Sequence, residues 1–314
     1  MGSDSAEMVE SAYVFPGQGA QYPGMGKDLF NNYASAREVF EQANRALGFD
    51  IAEICFEGPI EELTRTEICQ PAVLTVSIAA FKAFNSLNRK FRPRAALGLS
   101  LGEYSALVAA GAIAFGDAVG LVRLRGQFME EASKQFPGRM VSVIGMDLAA
   151  VEEICGQAGC EIANLNCPGQ VVLSGTAESI DKAIELSKQK GAAKTISLNV
   201  SGAFHSSLMS QAGQRLKDEI ARISFFAPEF PVVSNVNGTP ENDPDQIKEN
   251  LIDQVSCSTR WEESVRYVAS LKVNTFLEIG PGKILNGLIK RIDPTLIVHN
   301  IENSEDIKRL FVDA

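Results

Sequence analysis

Ala95-Ala96-Leu97-Gly98-Leu99-Ser100-Leu101-Gly102-Glu103-Tyr104-Ser105-Ala106-Leu107-Val108-Ala109-Ala110-Gly111 is the stretch on which the fold turns. Its first five residues read as a buried strand, and the part that follows Ser100 favours helix, with Gly111 placed to end it. Between them lies Gly98-Leu99-Ser100-Leu101-Gly102, a G-x-S-x-G sequence in the strand-to-helix position of a nucleophile elbow. A serine forced into so tight a bend brings the residues two places to either side into contact, where only hydrogen side chains fit. Ser100 Oγ then projects from a strand end over a helix N-terminus, whose free N–H groups favour negative charge. The competing reading is a Gly-Ser turn that merely starts a helix.

Upstream, Ala12-Tyr13-Val14-Phe15 reads as a strand broken by Pro16-Gly17-Gln18-Gly19. Helices are predicted over about 32–47 and 70–87, the second with Pro71 near its first turn and enough apolar and small residues to be buried. Downstream the pattern changes to strand 140–144, helix 148–157, strand 161–165, a turn at Pro168-Gly169, strand 171–174, helix 179–190 and strand 194–198. That βαββαβ order predicts a small ferredoxin-like domain over 137–199. Helices at 207–223, 245–255, 262–271 and 284–292 and strands at 232–235 and 275–279 then restore the α/β alternation. The expected fold class is α/β: a large α/β-hydrolase-like catalytic domain with a parallel sheet, built from 9–136 and 200–314, carrying the small domain as an insertion.

The chain's 314 residues, 45% hydrophobic and 22% charged, suit a soluble globular protein with a sizeable core. A net charge of −10 repels a phosphate backbone, so no nucleic-acid partner is expected. Cys55, Cys69, Cys155, Cys160, Cys167 and Cys257 form no C-x-x-C pair, and reduced thiols in a cytosol-like compartment are expected. No apolar run reaches the roughly 20 residues that span a bilayer, so no membrane partner is expected either. The first ten residues lack the apolar stretch of a secretory signal, and Met1 to Ala6 reads as a flexible leader. Cytoplasmic localisation is the expectation, with plastid stroma or mitochondrial matrix as the alternative if a transit peptide has been removed.

A serine hydroxyl needs a base, and the chain offers only His205 and His299. His205 lies in the small-residue loop Ser201-Gly202-Ala203-Phe204-His205-Ser206-Ser207, from which it can reach a cleft, although a solvated loop histidine is the other reading. His299, in the strand-like Leu296-Ile297-Val298-His299-Asn300, reads as structural. Asp117 and Asp147 fall between Ser100 and His205, but neither points to the site, so a Ser-His dyad with a backbone carbonyl fixing the tautomer is favoured over a triad. Phe15-Pro16-Gly17-Gln18-Gly19 matches no phosphate loop. The N–H of Gln18, with that of Leu101, is placed either in an ordinary turn or in an oxyanion hole. Arg125, on a helix among apolar neighbours, needs a fixed anion: an internal carboxylate, or one on a substrate.

Together, Phe-Pro-Gly-Gln-Gly at 15–19, Gly-Leu-Ser-Leu-Gly-Glu-Tyr at 98–104, Arg-Gly at 125–126, Asn-Cys-Pro-Gly-Gln-Val at 166–171, Ala-Phe-His-Ser at 203–206 and Glu-Ile-Gly-Pro-Gly at 278–282 resemble the malonyl-CoA:acyl carrier protein transacylases, over nearly the whole chain and in the family's order. The resemblance implies an acyltransferase with Ser100 as nucleophile, His205 as base and later acid, Arg125 as the clamp on the malonyl carboxylate, and Gln18 with Leu101 as oxyanion donors. It implies that the Gln254 backbone carbonyl orients the histidine, and that Phe204 belongs to the malonyl-selective form of its motif. Leu99 departs from the pattern, standing where many members carry histidine.

The implied reaction moves malonyl from malonyl-CoA to the phosphopantetheine thiol of acyl carrier protein, for fatty acid synthesis, by a ping-pong route. No cofactor or metal is expected, the CoA thioester being a substrate, and the protein is expected to be a monomer. For an acidic carrier protein, Lys182, Lys188, Lys190 and Lys194 form one docking candidate and Lys283, Lys290 and Arg291 a second. The rivals are a serine esterase or thioesterase and a non-catalytic carrier-binding module.

Overall fold

The computed structural model describes residues 8–88 and 90–312. The leader expected at Met1 to Ala6 lies outside the described residues. Ten strands are described: β1 (Val9–Phe15), β2 (Phe91–Gly98), β3 (Gly138–Ile144), β4 (Glu161–Cys167), β5 (Gln170–Thr176), β6 (Lys194–Ser197), β7 (Val232–Val233), β8 (Pro240–Glu241), β9 (Thr275–Ile279) and β10 (Ile297–Ile301). They form two sheets, one of six strands in the order β10-β9-β1-β2-β7-β8, the other of four in the order β4-β5-β3-β6. The first is parallel from β10 to β7, with β8 antiparallel at its edge. The second is antiparallel throughout.

Strand alternation explains why both faces of the larger sheet are covered. Along β1, Ala12 and Val14 join one apolar cluster with Leu97, Trp261 and Phe276, while Tyr13 and Phe15 join another with Ala96 and Leu277. A parallel sheet buried on both faces needs such apolar strands. The helix Thr66–Leu87 lies in the second cluster, buried on nearly every side. Two expectations change here. The helix begins at Thr66 rather than near residue 70, so Pro71 sits in its second turn rather than its first. At 22 residues it is also long and apolar enough to cross a membrane, but most of it is buried inside the protein, and that burial accounts for its composition.

The four-stranded sheet packs the helices Leu148–Ala158 and Ala177–Gln189 over a core of its own, which includes Val141, Val143, Ile154, Leu173 and Ile180. Its edge strand β4 does not face solvent alone. Thr259 N–H donates to Ala163 O at 2.8 Å and Leu165 N–H donates to Thr259 O at 2.9 Å, a parallel bridge that ties this sheet to the segment just past the helix Pro244–Gln254. In open parallel sheets the crevice lies beyond the carboxyl ends of strands where the order reverses. Here the order reverses between β1 and β9, since the chain goes from β1 to β2 on one side and returns to β9 and β10 on the other, and the carboxyl ends of β1 and β2 lie beside that point.

Candidate active site

The bend at the end of β2 is set by close backbone contact. A Cβ on Gly98 would lie 2.0 Å from the Gly102 carbonyl carbon, and one on Gly102 would lie 2.1 Å from Phe15 O. Only glycine fits at either place, and the result is a serine at φ 51°, ψ −107°, immediately before the helix Leu101–Ala109. Asn235, just beyond β7, grips the bend from both sides: Ser100 N–H donates to its Oδ1 at 2.6 Å, and its Nδ2 donates to Gly98 O at 2.7 Å.

His205 reaches this serine from a loop 105 positions away, with Nε2 2.9 Å from Ser100 Oγ. Its Nδ1 lies 2.8 Å from the Gln254 carbonyl oxygen. A carbonyl can only accept, so Nδ1 carries the proton and the Nε2 lone pair faces the hydroxyl. Burial, reinforced by the Arg125 charge, holds the imidazole's proton affinity down to about 4 and keeps it neutral at neutral pH. His205 also sits at φ 56°, so both members of the pair hold positive φ.

Arg125, on the helix Phe115–Gln135, is 2% exposed. Its guanidinium donates to three neutral oxygens: Gln70 Oε1 at 2.7 Å, Gln254 Oε1 at 3.0 Å and Ser100 Oγ at 3.0 Å. It also lies over the Tyr104 ring, 5.6 Å from the centroid. Among the described residues no carboxylate pairs with it within salt-bridge distance, and its buried Nε–H has no partner. The nearest built compensation is Glu103, 3% exposed, whose pKa burial pushes up to about 7 despite hydrogen bonds from Gln254 and Asn235 and the Arg125 charge.

Of these, Ser100, His205 and Arg125 line one cleft of about 310 Å³, together with Gln18 and Leu101 and, from the four-stranded sheet, Ser142 and Asn166. Leu101 opens its helix, so its N–H has no carbonyl partner within the helix. Neither it nor the Gln18 N–H is hydrogen-bonded among the described residues. Such an arrangement can deprotonate a serine hydroxyl, receive an oxyanion at two backbone donors and hold an anionic group beside the serine.

Of the residues singled out from sequence, Ser100, His205, Arg125, Gln18, Leu101 and Gln254 come together. His299 is half-buried in β10 beside the Phe91 ring. Asp147 caps the helix Leu148–Ala158, accepting from Ala150 N–H at 2.8 Å, and Asp117 is exposed in the first turn of its helix. Sequence reasoning missed Asn235, Gln70 and any task for the Glu103 side chain. Glu103 alone carried a signal, a carboxylate at fixed spacing from the serine.

Comparison with known proteins agrees across the chain. Residues 12–297 match the family model described as acyl transferase domain. The chain is 43% identical over 306 residues to the malonyl CoA-acyl carrier protein transacylase of Bacillus subtilis, covering 96% of each chain. The solved structure of the malonyl CoA-acyl carrier protein transacylase from Coxiella burnetii superposes with a TM-score of 0.94 at 38% identity, covering 97% of both chains. A malonyl-transacylase solved in complex with its type II PKS acyl-carrier protein gives a TM-score of 0.94 at 37% identity, covering 98% of this chain and 100% of that one.

Proposed function

We propose, because this chain belongs to the acyl transferase family, that it transfers malonyl from malonyl-CoA to the phosphopantetheine thiol of an acyl carrier protein through a malonyl ester on Ser100. The observation that carries this reading is the bracketing of one hydroxyl by a neutral imidazole at 2.9 Å and a buried guanidinium at 3.0 Å. A simple esterase has no use for the second group. A malonyl thioester has, because its free carboxylate supplies the anion that Arg125 lacks.

In this mechanism the malonyl carboxylate takes the guanidinium edge now donated to Ser100 Oγ, which frees the hydroxyl and cancels the charge that suppresses His205. His205 Nε2 accepts the serine proton as Oγ attacks the thioester carbonyl, and the N–H groups of Gln18 and Leu101 hold the oxyanion. The tetrahedral adduct collapses, the C–S bond breaks, and His205 returns the proton to the leaving CoA thiolate. The carrier thiol then gives its proton to His205 and attacks malonyl-Ser100, the ester C–O bond breaks and His205 returns the proton to Ser100 Oγ, so that the enzyme works by ping-pong turnover. The chemistry so written draws on no metal or redox group.

The βαββαβ order of residues 137–199, with the strand order β4-β5-β3-β6, supports reading this unit as a ferredoxin-like insertion in a hydrolase-like catalytic domain formed by 9–136 and 200–314. The cleft between the two units keeps water from the ester. For carrier docking we favour Lys283, Lys290 and Arg291 over the lysines of the small unit. Ile284 lines the cleft and is 47% exposed, and Arg291 reaches Gln170 on the opposite lip, whereas Lys190 is already paired with Glu153.

The test is mass spectrometry of the protein mixed with malonyl-CoA. One malonyl group on Ser100, absent from Ser100→Ala and discharged by carrier thiol faster than by water, is the expected result. Free malonate as the main product would make the chain a thioesterase, and no adduct would make it a binding module.

A further inference from the structure

Ser100-Leu101-Gly102-Glu103 has the S-x-x-E spacing of a helix capping box, in which the serine hydroxyl and the glutamate carboxylate each cap a backbone N–H. Neither does so here. The serine side chain makes no cap bond, and the Ser100 N–H is held by Asn235. The Glu103 carboxylate turns inward, where one oxygen, Oε2, accepts from Gln254 Nε2 at 2.7 Å and from Asn235 N–H at 3.1 Å. A buried carboxylate is costly, and a surface glutamate would serve a helix N-terminus as well.

The inward turn fixes the polarity of Gln254. A side-chain amide has two ends of nearly equal size, and its surroundings decide which is oxygen. Here both Nε2 hydrogens are used, one on Glu103 and one on Ser100 O at 3.0 Å, which leaves Oε1 to accept from Arg125. Turned by half a revolution, the amide would set its NH2 against the guanidinium and its oxygen against the carboxylate. The Gln254 backbone meanwhile holds His205. Asn235, the other residue on Oε2, pins the bend at Ser100.

Building on the malonyl-transfer reading, we propose that Glu103 is a positioning residue for the reaction: it orients the Gln254 amide toward Arg125 and anchors Asn235 behind Ser100. It touches no reacting atom, and its effect reaches the substrate through those two residues.

The test is a double-mutant cycle on the full chain, with malonyl-CoA and holo carrier protein, read as kcat and KM separately. Glu103→Ala is expected to lower kcat/KM by about tenfold or more, through both a smaller kcat and a larger malonyl-CoA KM, with near-UV dichroism unchanged. Glu103→Gln keeps an oxygen that can accept both bonds and should recover at least about threefold of that loss. In a Gln254→Ala background, which retains the carbonyl that holds His205, the cost of Glu103→Ala should shrink by at least about threefold. A loss below tenfold, a Gln variant no better than Ala, or equal losses in both backgrounds overturns the proposal. If the Ala variant does not fold, Glu103→Asp takes its place in the cycle, because it keeps the charge but withdraws the oxygen from both donors. An unmodified enzyme that forms no malonyl adduct would instead sink the transfer reading itself.

Discussion

At Ser100 and His205 the chain holds two side-chain-bearing residues at positive φ, a conformation that costs about 1–3 kcal/mol each and persists only where surroundings enforce it. The Asn235 bonds and the glycine contacts enforce the first, and the Gln254 carbonyl restrains the second. Arg125 links them electrostatically, since its charge is one reason why His205 binds a proton only near pH 4. Removing that charge should therefore move the acid limb of the acetyl-CoA acylation profile to higher pH in Arg125→Ala. Malonyl transfer by the same variant should fall about a hundredfold or more, the scale of leaving a carboxylate in a dry site without its partner. Acetyl transfer should fall far less, and parallel losses for the two substrates would show that Arg125 does not read the carboxylate. The stability sign follows from the same shift. The unfolded imidazole protonates near 6.5 and the folded one near 4, so the His205 contribution is complete above 6.5 and drains away as pH falls to 4. Urea midpoints of the wild type should show that acid loss, and His205→Ala should show less of it.

The strand β2, the bend and the helix Leu101–Ala109 act as one element, because Gly102 packs on the Phe15 carbonyl at the end of β1. A methyl there would push the two strand ends apart and move the Ser100 hydroxyl from Gln18 and His205 together. Gly102→Ala should cost about 1–3 kcal/mol, as overpacking does, and slow malonyl-Ser100 formation more than its melting temperature alone would suggest. A Gly102→Ala enzyme that acylates at the wild-type rate would show that the bend tolerates side chains. This element was readable from sequence because its cause is local: an apolar run, two glycines flanking a serine, and a helix-favouring tail. The partners were harder. Asn235 stands 132 positions from Glu103, and Gln254 stands 151. Side-chain hydrogen bonds across such separations leave no periodicity in the chain, so Asn235 read only as the end of a strand. The start of the helix Thr66–Leu87 differs from the sequence expectation for a related reason. Pro71 suggested a first turn, whereas tertiary packing of Ile68 and Cys69 in the core extends the helix upstream of it.

Across the whole molecule a charge of −10 opposes any acidic partner, so carrier docking needs a local positive field that survives the background. Lys283, Lys290 and Arg291 are exposed on the last turn of β9's connection and the helix Ile284–Ile292, next to the cleft in which Ser100 lies. The lysines of the helix Ala177–Gln189 and of β6 are exposed as well, but Lys190 is engaged by Glu153, which weakens their combined field. Rim charges act mainly on association and are screened beyond about 8 Å at physiological salt. Reversing Lys283 and Lys290 to glutamate should therefore raise the carrier-protein KM by about fivefold or more at low salt, with the gap to wild type narrowing as salt is added. The rate of malonyl-Ser100 formation in the absence of carrier should stay within about twofold, because neither side chain lines the cleft. If Lys182→Glu with Lys188→Glu raised that KM and the Lys283, Lys290 pair did not, docking would belong to the small unit, and the carrier thiol would approach Ser100 from the opposite lip.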